Sequence, residues 1–296
     1  MIDGALPYLR CPVCGGTLAR AAFSPVVGGG GVVGQGGERA LRCPRGHSFD
    51  IARQGYVTLT AGRAPHPGDS AGMVADRETF LAEGHYDFIA DALAKKAAAP
   101  AEGAAAATAA VRADDGLVVD AGTGTGRYLA RVLDALPGVP GLGLDVSKPA
   151  LRRAARSHPR AAAVLADLWR PLPLADAVAS VVLNVFAPRN GPEFRRILRP
   201  DGRLLVVTPA RDHLAELIDA YGLVKVDPDK ADRVADALGG GFEAVSVQPV
   251  SRTLRLSEAE TRTLIGMTPS ARHVPPHVAG AHEVTAAVDV TSYRPV

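Results

Sequence analysis

The sequence predicts an α/β protein: a mostly parallel, seven-stranded sheet with helices on both faces, preceded by a small metal-binding unit. From residue 116 onward, short apolar runs alternate with helical patterns, which is the order expected of βαβ units. The first three of these runs each lead into an aspartate, and all three cysteines lie within the first 43 residues. We therefore expect a metal-binding domain at 1–60, a linker with helices at 61–115 and the sheet domain at 116–296.

Composition limits the class of protein. The 296 residues are 47% hydrophobic, which is enough for a sizeable core in one large domain or in an ordinary domain plus a small one. No apolar run approaches the ~20 residues of a membrane span, and residues 1–10 lack a signal segment, so we expect a cytoplasmic protein with no membrane partner. The net charge of +2 does not by itself indicate nucleic-acid binding, but the first 66 residues carry seven arginines against three acidic side chains.

The cysteines form the pattern of a structural zinc site. A C-x2-C turn can point two thiolates at one ion, and a C-x3-H pair supplies a third thiolate and an imidazole, which closes a tetrahedral Cys3His site. The candidate ligands are Cys11, Cys14, Cys43 and His47. A redox C-x-x-C or unrelated buried thiols are the alternatives, but Pro12 and the glycines at 15–16 favour a zinc knuckle over the helix start of a redox motif.

Two low-complexity stretches are predicted to be surface loops. Residues 28–37 are too rich in glycine to pack, so we expect a loop between two short strands that leaves the ligand spacings intact. Residues 97–110 are mostly alanine and are expected to form a poorly ordered excursion between the linker helices and the sheet domain.

A glycine-rich turn follows the first strand of the sheet domain. Residues 117–119 are apolar, Asp120 follows, and the glycines fall at 122, 124 and 126. In the dinucleotide pattern G-x-G-x-x-G the third glycine would fall at 127, where the chain has Arg127. The pattern D-x-G-x-G-x-G instead resembles motif I of the class I S-adenosylmethionine (SAM) methyltransferases, which have a Rossmann-like seven-stranded sheet.

Two further acidic residues fit a nucleoside ligand. Asp145 ends the second strand about 20 residues after the glycines, where a carboxylate takes the ribose hydroxyls. Asp167 ends the third strand, where methyltransferases of this class contact the adenine. The expected SAM contacts from these motifs are Asp120, Gly122, Gly124, Thr125, Gly126, Asp145 and Asp167.

The remaining elements complete the predicted sheet. Strands are predicted at 180–188, 202–210, 242–257 and 282–293, the third of these bent by a bulge near Pro249. A helix beginning near Asp212 would contain His213. Ser257 and Glu260 have the spacing of a capping box, which predicts a helix start at that point.

Motifs over nearly the whole chain resemble one family. They are CPVC, CPRGHSFDIARQGYVTL, PGDSAGM, GHY, LDVSK, NVFAP, TPxxxHL and MTP. Together they resemble the RlmA-type 23S ribosomal RNA (guanine-N1)-methyltransferases, whose macrolide-resistance branch includes the tylosin-resistance enzymes. The resemblance implies a SAM-dependent enzyme with a zinc ion and a 23S rRNA hairpin as substrate, and it allows a homodimer. Alanine, glycine and arginine dominate the composition, as in actinobacterial proteins, which favours the gram-positive-type branch that modifies a neighbouring guanine of the same hairpin. Both a resistance role and a housekeeping role are compatible with this branch.

The resemblance also implies further cofactor contacts. Gly124 and Thr125 match motif I positions that touch SAM, and Tyr86 and His213 match additional contacts of the family. On the residues alone, His213 could equally be a histidine satisfied by backbone near a helix N-terminus. Tyr86 alone would more often be a core aromatic.

The residues expected to contact the base that accepts the methyl group are indicated by less specific signals. Asn184 at the end of the fourth strand is expected to hydrogen-bond the edge of the target base, with Phe186 or Tyr86 stacking on it; the alternative for Asn184 is a strand-end cap. No residue stands out as a general base, and Asp69 and His85 are the two to test.

The knuckle is expected to grip the RNA hairpin, since such hairpins are recognised through loops and shape. Its basic side chains are Arg10, Arg20, Arg42, Arg45 and Arg53. A small lid over the active site is the alternative. Rival functions are a small-molecule methyltransferase, for example one acting on an antibiotic intermediate, and a zinc-bearing RNA-binding or assembly factor that has lost turnover.

Overall fold

The computed structural model describes residues 2–21, 39–62, 68–100, 116–227, 229–272 and 278–296. The predicted glycine-rich loop at 28–37 and most of the predicted alanine-rich excursion lie outside these residues. In the part of the chain that is described, no helix is both long and apolar enough to span a membrane.

From β5 onward most strands are followed by a helix, although β7 leads to β8 without one. The strands are β1 (Ala19–Arg20), β2 (Ala40–Arg42), β3 (Ser48–Asp50), β4 (Val57–Thr58), β5 (Leu117–Ala121), β6 (Gly141–Asp145), β7 (Ala161–Leu165), β8 (Ala179–Val185), β9 (Leu198–Pro209), β10 (Phe242–Leu256) and β11 (His282–Pro295). The α-helices are α1 (Ile2–Ala5), α2 (Ala71–Ala82), α3 (Asp87–Ala98), α4 (Arg127–Ala135), α5 (Lys148–Ala154), α6 (Gly191–Ile197), α7 (Ala215–Tyr221), α8 (Lys230–Leu238) and α9 (Glu258–Gly266).

The main sheet contains the seven predicted strands in a doubly wound order. Its order is β10-β11-β9-β8-β5-β6-β7-β4, with β9 to β7 parallel and β11 antiparallel to both of its neighbours. The chain runs outward from β5 to one side and then returns to its other side at β8. The carboxyl ends of β5 and β8 therefore flank the switch point, where α/β sheets bind ligands.

An eighth strand comes from the N-terminal segment. Val57 and Thr58 of β4 pair in parallel with Val164 and Leu165 of β7, and Leu59 N–H donates to the Leu165 carbonyl at 3.0 Å. A separate three-stranded sheet of β1, β2 and β3 carries the cysteine-containing turns. The N-terminal segment is thus joined to the main sheet through backbone hydrogen bonds.

Both faces of the central strands are buried. Val118 packs in an apolar layer with Ile89 and Leu129 of α3 and α4, whereas the next residue, Val119, packs in the opposite layer with Phe194 of α6. Successive side chains of a strand point to opposite faces, so a strand covered on both sides reads as a continuous apolar run. Leu41, from the small N-terminal sheet, belongs to the second layer, so the segment 1–60 shares a core with the main sheet.

Local details differ from the sequence prediction in two places. The irregularity of β10 lies between Ala244 and Ser246, while Pro249 pairs in register with Asp289. Because β10 is an edge strand, a proline there can turn its nitrogen away from the partner strand and needs no bulge. Helix α7 begins at Ala215, so His213 lies in the turn before it, where Leu214 adopts a left-handed conformation with φ of 56°. The predicted capping box of Ser257 and Glu260 is confirmed.

Candidate functional site

The glycine-rich turn after β5 is shaped by close contacts. Gly122 has a φ of 89°, and a Cβ at this position would lie 2.3 Å from the Cβ of Ala187 in the segment after β8. Gly126, at the N-cap of α4, has a φ of 82°, and a Cβ there would lie 2.5 Å from Ser157 Oγ. Both positions therefore require glycine on grounds of conformation and of space.

Asp145 is fixed against this turn. Its Oδ2 accepts a hydrogen bond from Gly124 N–H at 2.9 Å, and its Oδ1 accepts one from Ser147 N–H at 2.8 Å. Burial raises the pKa of Asp145, and these two backbone hydrogen bonds act in the opposite direction. The carboxylate is thus held at the end of β6, beside the glycine turn, and its contact with ribose hydroxyls stays a prediction.

Asp120 lies beneath the turn. Its side chain is buried, Oδ2 accepts a hydrogen bond from Thr123 Oγ1 at 2.8 Å, and Oδ1 has no hydrogen-bond partner among the described residues. Burial raises the pKa of Asp120 to about 7; the Thr123 hydrogen bond opposes this shift, and repulsion from Asp145 adds to it. A cation bound nearby would stabilise the ionised form of this carboxyl group and lower its pKa.

Asp167 lies two residues beyond the end of β7. Its Oδ1 accepts a hydrogen bond from Trp169 N–H at 3.0 Å, and its Oδ2 lies 3.4 Å from Arg170 Nε. The side chain of Asp167 is only 3% exposed, whereas that of Arg170 is 57% exposed. The carboxylate therefore points into the protein, and the turn that follows presents its side chains outward.

Tyr86 and His213 come together from distant parts of the chain. The hydroxyl of Tyr86 lies 3.5 Å from His213 Nε2, and His213 Nδ1 accepts a hydrogen bond from Ala287 N–H at 3.2 Å. Since Nδ1 accepts, the neutral ring carries its proton on Nε2. Burial lowers the pKa of His213 to about 4, so this tautomer is the form present at neutral pH.

Phe186 extends this group toward solvent. Its ring centroid lies 6.0 Å from that of His213, its φ is 52°, and 44% of the residue is exposed. Tyr86 is 3% exposed and is enclosed by Phe80 and Phe88. Of the two predicted stacking residues, Phe186 is the one whose ring an incoming base can reach.

Asn184 uses both hydrogens of its amide within the protein. Its Nδ2 donates to the carbonyls of Ala121 at 3.1 Å and Pro188 at 2.9 Å, which ties the end of β8 to the end of β5. This is the arrangement expected of a strand-end cap. Its Oδ1 is buried and has no hydrogen-bond partner among the described residues, so contact of this atom with a base stays a prediction.

The two candidate general bases are both engaged with charged groups. Asp69 Oδ2 lies 2.7 Å from Arg77 Nη1, and its Oδ1 lies 3.3 Å from Arg272 Nη2. His85 Nε2 lies 3.1 Å from Glu260 Oε1. These contacts suit residues that hold elements together, and a role for either as a base stays a prediction.

Sequence reasoning did not single out Arg77. This arginine of α2 lies beside the glycine turn, with its Nη1 3.5 Å from the position that a Cβ on Gly124 would occupy. Its Nη2 donates to the carbonyl of Met267 at 2.9 Å. No motif marks this residue, because the contact depends on how α2 packs against the sheet domain.

The Cys3His group forms a compact cluster. The ligand atoms of Cys11, Cys14, Cys43 and His47 all lie within 4.8 Å of one another. His47 Nδ1 lies 3.6 Å from Cys11 Sγ and 3.2 Å from Cys43 Sγ, and the Sγ atoms of Cys14 and Cys43 are 3.7 Å apart. Tetrahedral zinc with Zn–S bonds of about 2.3 Å separates its ligand atoms by roughly 3.5–3.8 Å, so these residues fit the ion.

Comparisons with known proteins point to one family. Residues 118–202 match the family model described as a methyltransferase domain. A protein of Micromonospora griseorubida named as a 23S rRNA (guanine-N(1)-)-methyltransferase is 56% identical over 308 residues, which cover 98% of each chain. The 23S rRNA (guanine(748)-N(1))-methyltransferase of Streptomyces fradiae is 46% identical over 304 residues and the full length of both chains. A similarly named protein of Bacillus subtilis is 30% identical over 70% of this chain and 66% of its own.

Proposed function

This chain belongs to the family of 23S rRNA (guanine-N1)-methyltransferases, and from that premise we propose that it transfers the methyl group of SAM to N1 of a guanine in a hairpin loop of 23S rRNA. The observation that carries the proposal is the similarity over the full length to two relatives with this name. The folded glycine turn and the acidic residues at the ends of β5, β6 and β7 support cofactor binding.

SAM would lie at the carboxyl ends of β5, β6 and β7. We propose that Asp145 binds the ribose hydroxyls, that Asp167 contacts the adenine, and that the backbone of Gly124 and Thr125 borders the cofactor. Tyr86 and His213 would close the far side of the pocket, with the Nε2–H of the neutral histidine as the donor. When bound, SAM supplies a methyl group that its sulfonium already activates.

The chain's own part in the reaction is then positioning. The target base must be unpaired and turned into the pocket, because a base inside a duplex does not expose N1 to an enzyme. Phe186 is placed to stack on such a base, and its left-handed backbone suits a ring held at a defined site rather than packed in the core. Holding acceptor, methyl carbon and sulfur in line is the main catalytic contribution. As the N1–methyl bond forms and the methyl–sulfur bond breaks, the proton of guanine N1 leaves to a base or to water, and Asp69 and His85 are the two side chains to test as that base.

The knuckle would bind zinc through its Cys3His group and contact the RNA through its exposed arginines. Arg42, Arg45 and Arg53 are exposed, whereas Arg20 forms an ion pair with Asp3 at 2.6 Å. We expect the double substitution of Arg42 and Arg45 by Ala to weaken RNA binding and to lower its salt dependence. Unchanged binding would mean that the knuckle only covers the active site.

The direct experiment is methylation of 23S rRNA hairpin transcripts with labelled SAM, followed by mapping of the modified base. Label on a single guanine N1 would establish the activity and identify the guanine. RNA that stays unlabelled while SAM binds tightly would indicate that the ribosomal subunit or a small molecule is the acceptor. Expression in a macrolide-sensitive host would test the resistance role, and light scattering in solution would test the homodimer.

A further inference from the structure

Two large apolar aromatic side chains are exposed in the described part of the chain, and each lies in a segment that follows a strand of the proposed site. They are Trp169, which is 62% exposed, and Phe186, which is 44% exposed. Aromatic side chains are enriched at interaction surfaces relative to the rest of a protein surface. Trp169 has no part in the cofactor and acceptor roles described above.

The loops that carry these two rings are in contact. Asn190, in the loop after β8, donates through Nδ2 to the Leu168 carbonyl at 2.8 Å. A Cβ on Gly122 would meet Ala187 at 2.3 Å and Leu168 at 3.8 Å. Leu168 directly precedes Trp169 and Ala187 directly follows Phe186, so both rings originate from the junction above the first glycine of the turn.

The backbone of Trp169 is held in place. Its N–H donates to Asp167 Oδ1 at 3.0 Å, and the next N–H, of Arg170, donates to the Asp167 carbonyl at 3.1 Å. A ring on such a turn is presented at a defined position and loses little entropy when a ligand binds. The neighbouring Asp167 carboxylate is buried whereas the indole is exposed, so the two side chains of this turn have different surroundings.

The same segment leads to the zinc knuckle. Arg10 N–H donates to the Pro173 carbonyl, and Ala175 N–H donates to the Tyr8 carbonyl, each at 2.9 Å. Trp169 therefore lies along the chain between the cofactor site and the point where the knuckle is attached. Arg170 beside it is also exposed and supplies a positive charge. Aromatic faces next to cationic side chains are the usual elements of single-stranded nucleic-acid sites.

We propose that Trp169 is a stacking platform for an unpaired base of the RNA loop, next to the base that enters the pocket beside Phe186. This inference rests on the proposed function, since it assigns a contact to the RNA substrate. The ring binds a flanking nucleotide, and so it sets the position of the loop relative to the pocket.

The chain offers a direct probe, because Trp169 is its only tryptophan. The wild-type protein, saturated with S-adenosylhomocysteine, is titrated with a 23S rRNA hairpin transcript while tryptophan fluorescence is recorded. Anisotropy of the labelled transcript measures binding independently, and labelled SAM measures methyl transfer. We expect the indole emission to be quenched as the RNA binds, with the same midpoint as the anisotropy change.

Variants separate stacking from a structural role. Trp169→Ala should weaken binding of the hairpin by roughly tenfold, which is within the range for loss of one stacked base. Trp169→Phe should restore most of the affinity, and neither variant should change the dependence of binding on salt. Val247→Ala, at another exposed apolar side chain on the edge strand β10, is the matched control and should bind as the wild type does.

Three outcomes would overturn the inference. RNA that binds and is methylated without changing the fluorescence would leave the proposed function intact and remove the platform. Quenching by S-adenosylhomocysteine alone, with no further change on adding RNA, would place the indole on the cofactor. RNA that is neither bound nor methylated would remove the proposed function and the platform with it.

Discussion

Asp69 and Arg77 form an ion pair at the edge of the glycine turn, with 2.7 Å between Oδ2 and Nη1 and only about a quarter of each side chain exposed. The backbone carbonyl of Asp69 also accepts a hydrogen bond from Ser147 Oγ at 2.8 Å. Through Met267, Arg77 reaches the segment after α9. The pair therefore connects the linker, the turn after β6 and the C-terminal part of the chain around the proposed cofactor pocket.

From this arrangement we expect Asp69→Asn to affect cofactor binding more than catalysis. Loss of a partly buried ion pair frees Arg77, so the dissociation constant of SAM, measured by calorimetry, should rise by roughly tenfold. The kcat and its pH profile should stay close to wild type. Asp91→Asn, which breaks the more exposed pair with Arg131, is the control and should change neither value. A large fall in kcat with unchanged SAM affinity would support Asp69 as the general base.

The contact of Gly122 with Ala187 predicts a second effect. Gly122→Ala combines a left-handed backbone with a Cβ only 2.3 Å from another Cβ, so we expect it to lower the free energy of unfolding by roughly 3–4 kcal/mol and to abolish SAM binding. Gly62 has nearly the same φ, 87°, but nothing within 4 Å of the added Cβ, so Gly62→Ala should cost only about 1–2 kcal/mol. If urea unfolding shows that the two variants lose equal free energy of unfolding, the contact with Ala187 contributes nothing to the effect of Gly122→Ala.

The parts predicted well from the sequence are those with local signals. An apolar run leading into Asp120 or Asp145 reads as a parallel strand because both of its faces are buried, and the capping box at Ser257 depends on residues three apart. The pairing of β4 with the main sheet has no such signal. Two residues have no measurable periodicity, and their pairing with β7 depends on how the N-terminal segment packs.

The site shows the same division between local and tertiary signals. The glycine turn and the Cys3His group are short patterns, so their members could be named in advance. The contact of Arg77 with the turn, and the junction between the loops carrying Trp169 and Phe186, join residues far apart in the chain. The sequence predicts Asn184 at the end of a strand, but whether its amide caps the backbone or faces a ligand depends on neighbours that only the fold supplies.

The Cys3His geometry predicts a firmly held zinc ion. We expect purified protein to contain zinc and Cys43→Ser to lose it, with a fall in Tm of about 5–10 °C, because Cys11 and Cys43 belong to the apolar layer shared with the main sheet. Metal analysis and thermal unfolding measure the two effects. Ser48→Ala, in the same hairpin, should retain both zinc and Tm. Zinc retained at full occupancy by Cys43→Ser would exclude this ligand set.

The pKa of Asp120 predicts a pH dependence of stability. The folded protein, with a pKa of about 7, binds the proton more tightly than the unfolded chain, whose value is 3.8, so ionisation lowers stability as the pH rises through this window. Asp120→Asn should therefore gain stability relative to wild type by about 2–4 kcal/mol between roughly pH 4 and 7, with no further gain above it. Urea unfolding of both proteins at a series of pH values measures the difference in their free energies of unfolding. A difference that stays constant with pH would contradict the raised pKa of Asp120.

His213 predicts the opposite trend over an overlapping range. Its folded pKa of about 4 lies below the ordinary value of 6.5, so the unfolded chain binds the proton more tightly, and stability is lost as the pH falls from 6.5 toward 4. In the wild-type protein, Asp120 becomes protonated over the same fall in pH, which stabilises the fold and offsets the loss from His213. The total free energy of unfolding should therefore vary little between pH 6.5 and 4. Replacing Asp120 and His213 in separate variants therefore reveals how much each side chain contributes to the pH dependence of stability.

His213→Gln keeps a side-chain acceptor for Ala287 N–H and removes the titrating ring. We expect the free energy of unfolding of this variant, relative to wild type, to rise as the pH falls from about 7 to 4.5, by up to about 3 kcal/mol. The double variant with Asp120→Asn should show neither trend, because both titrating groups are gone. If His213→Gln and wild type unfold in parallel across this range, the imidazole is not buried as a neutral ring, and its proposed role as an Nε2–H donor to the cofactor fails as well.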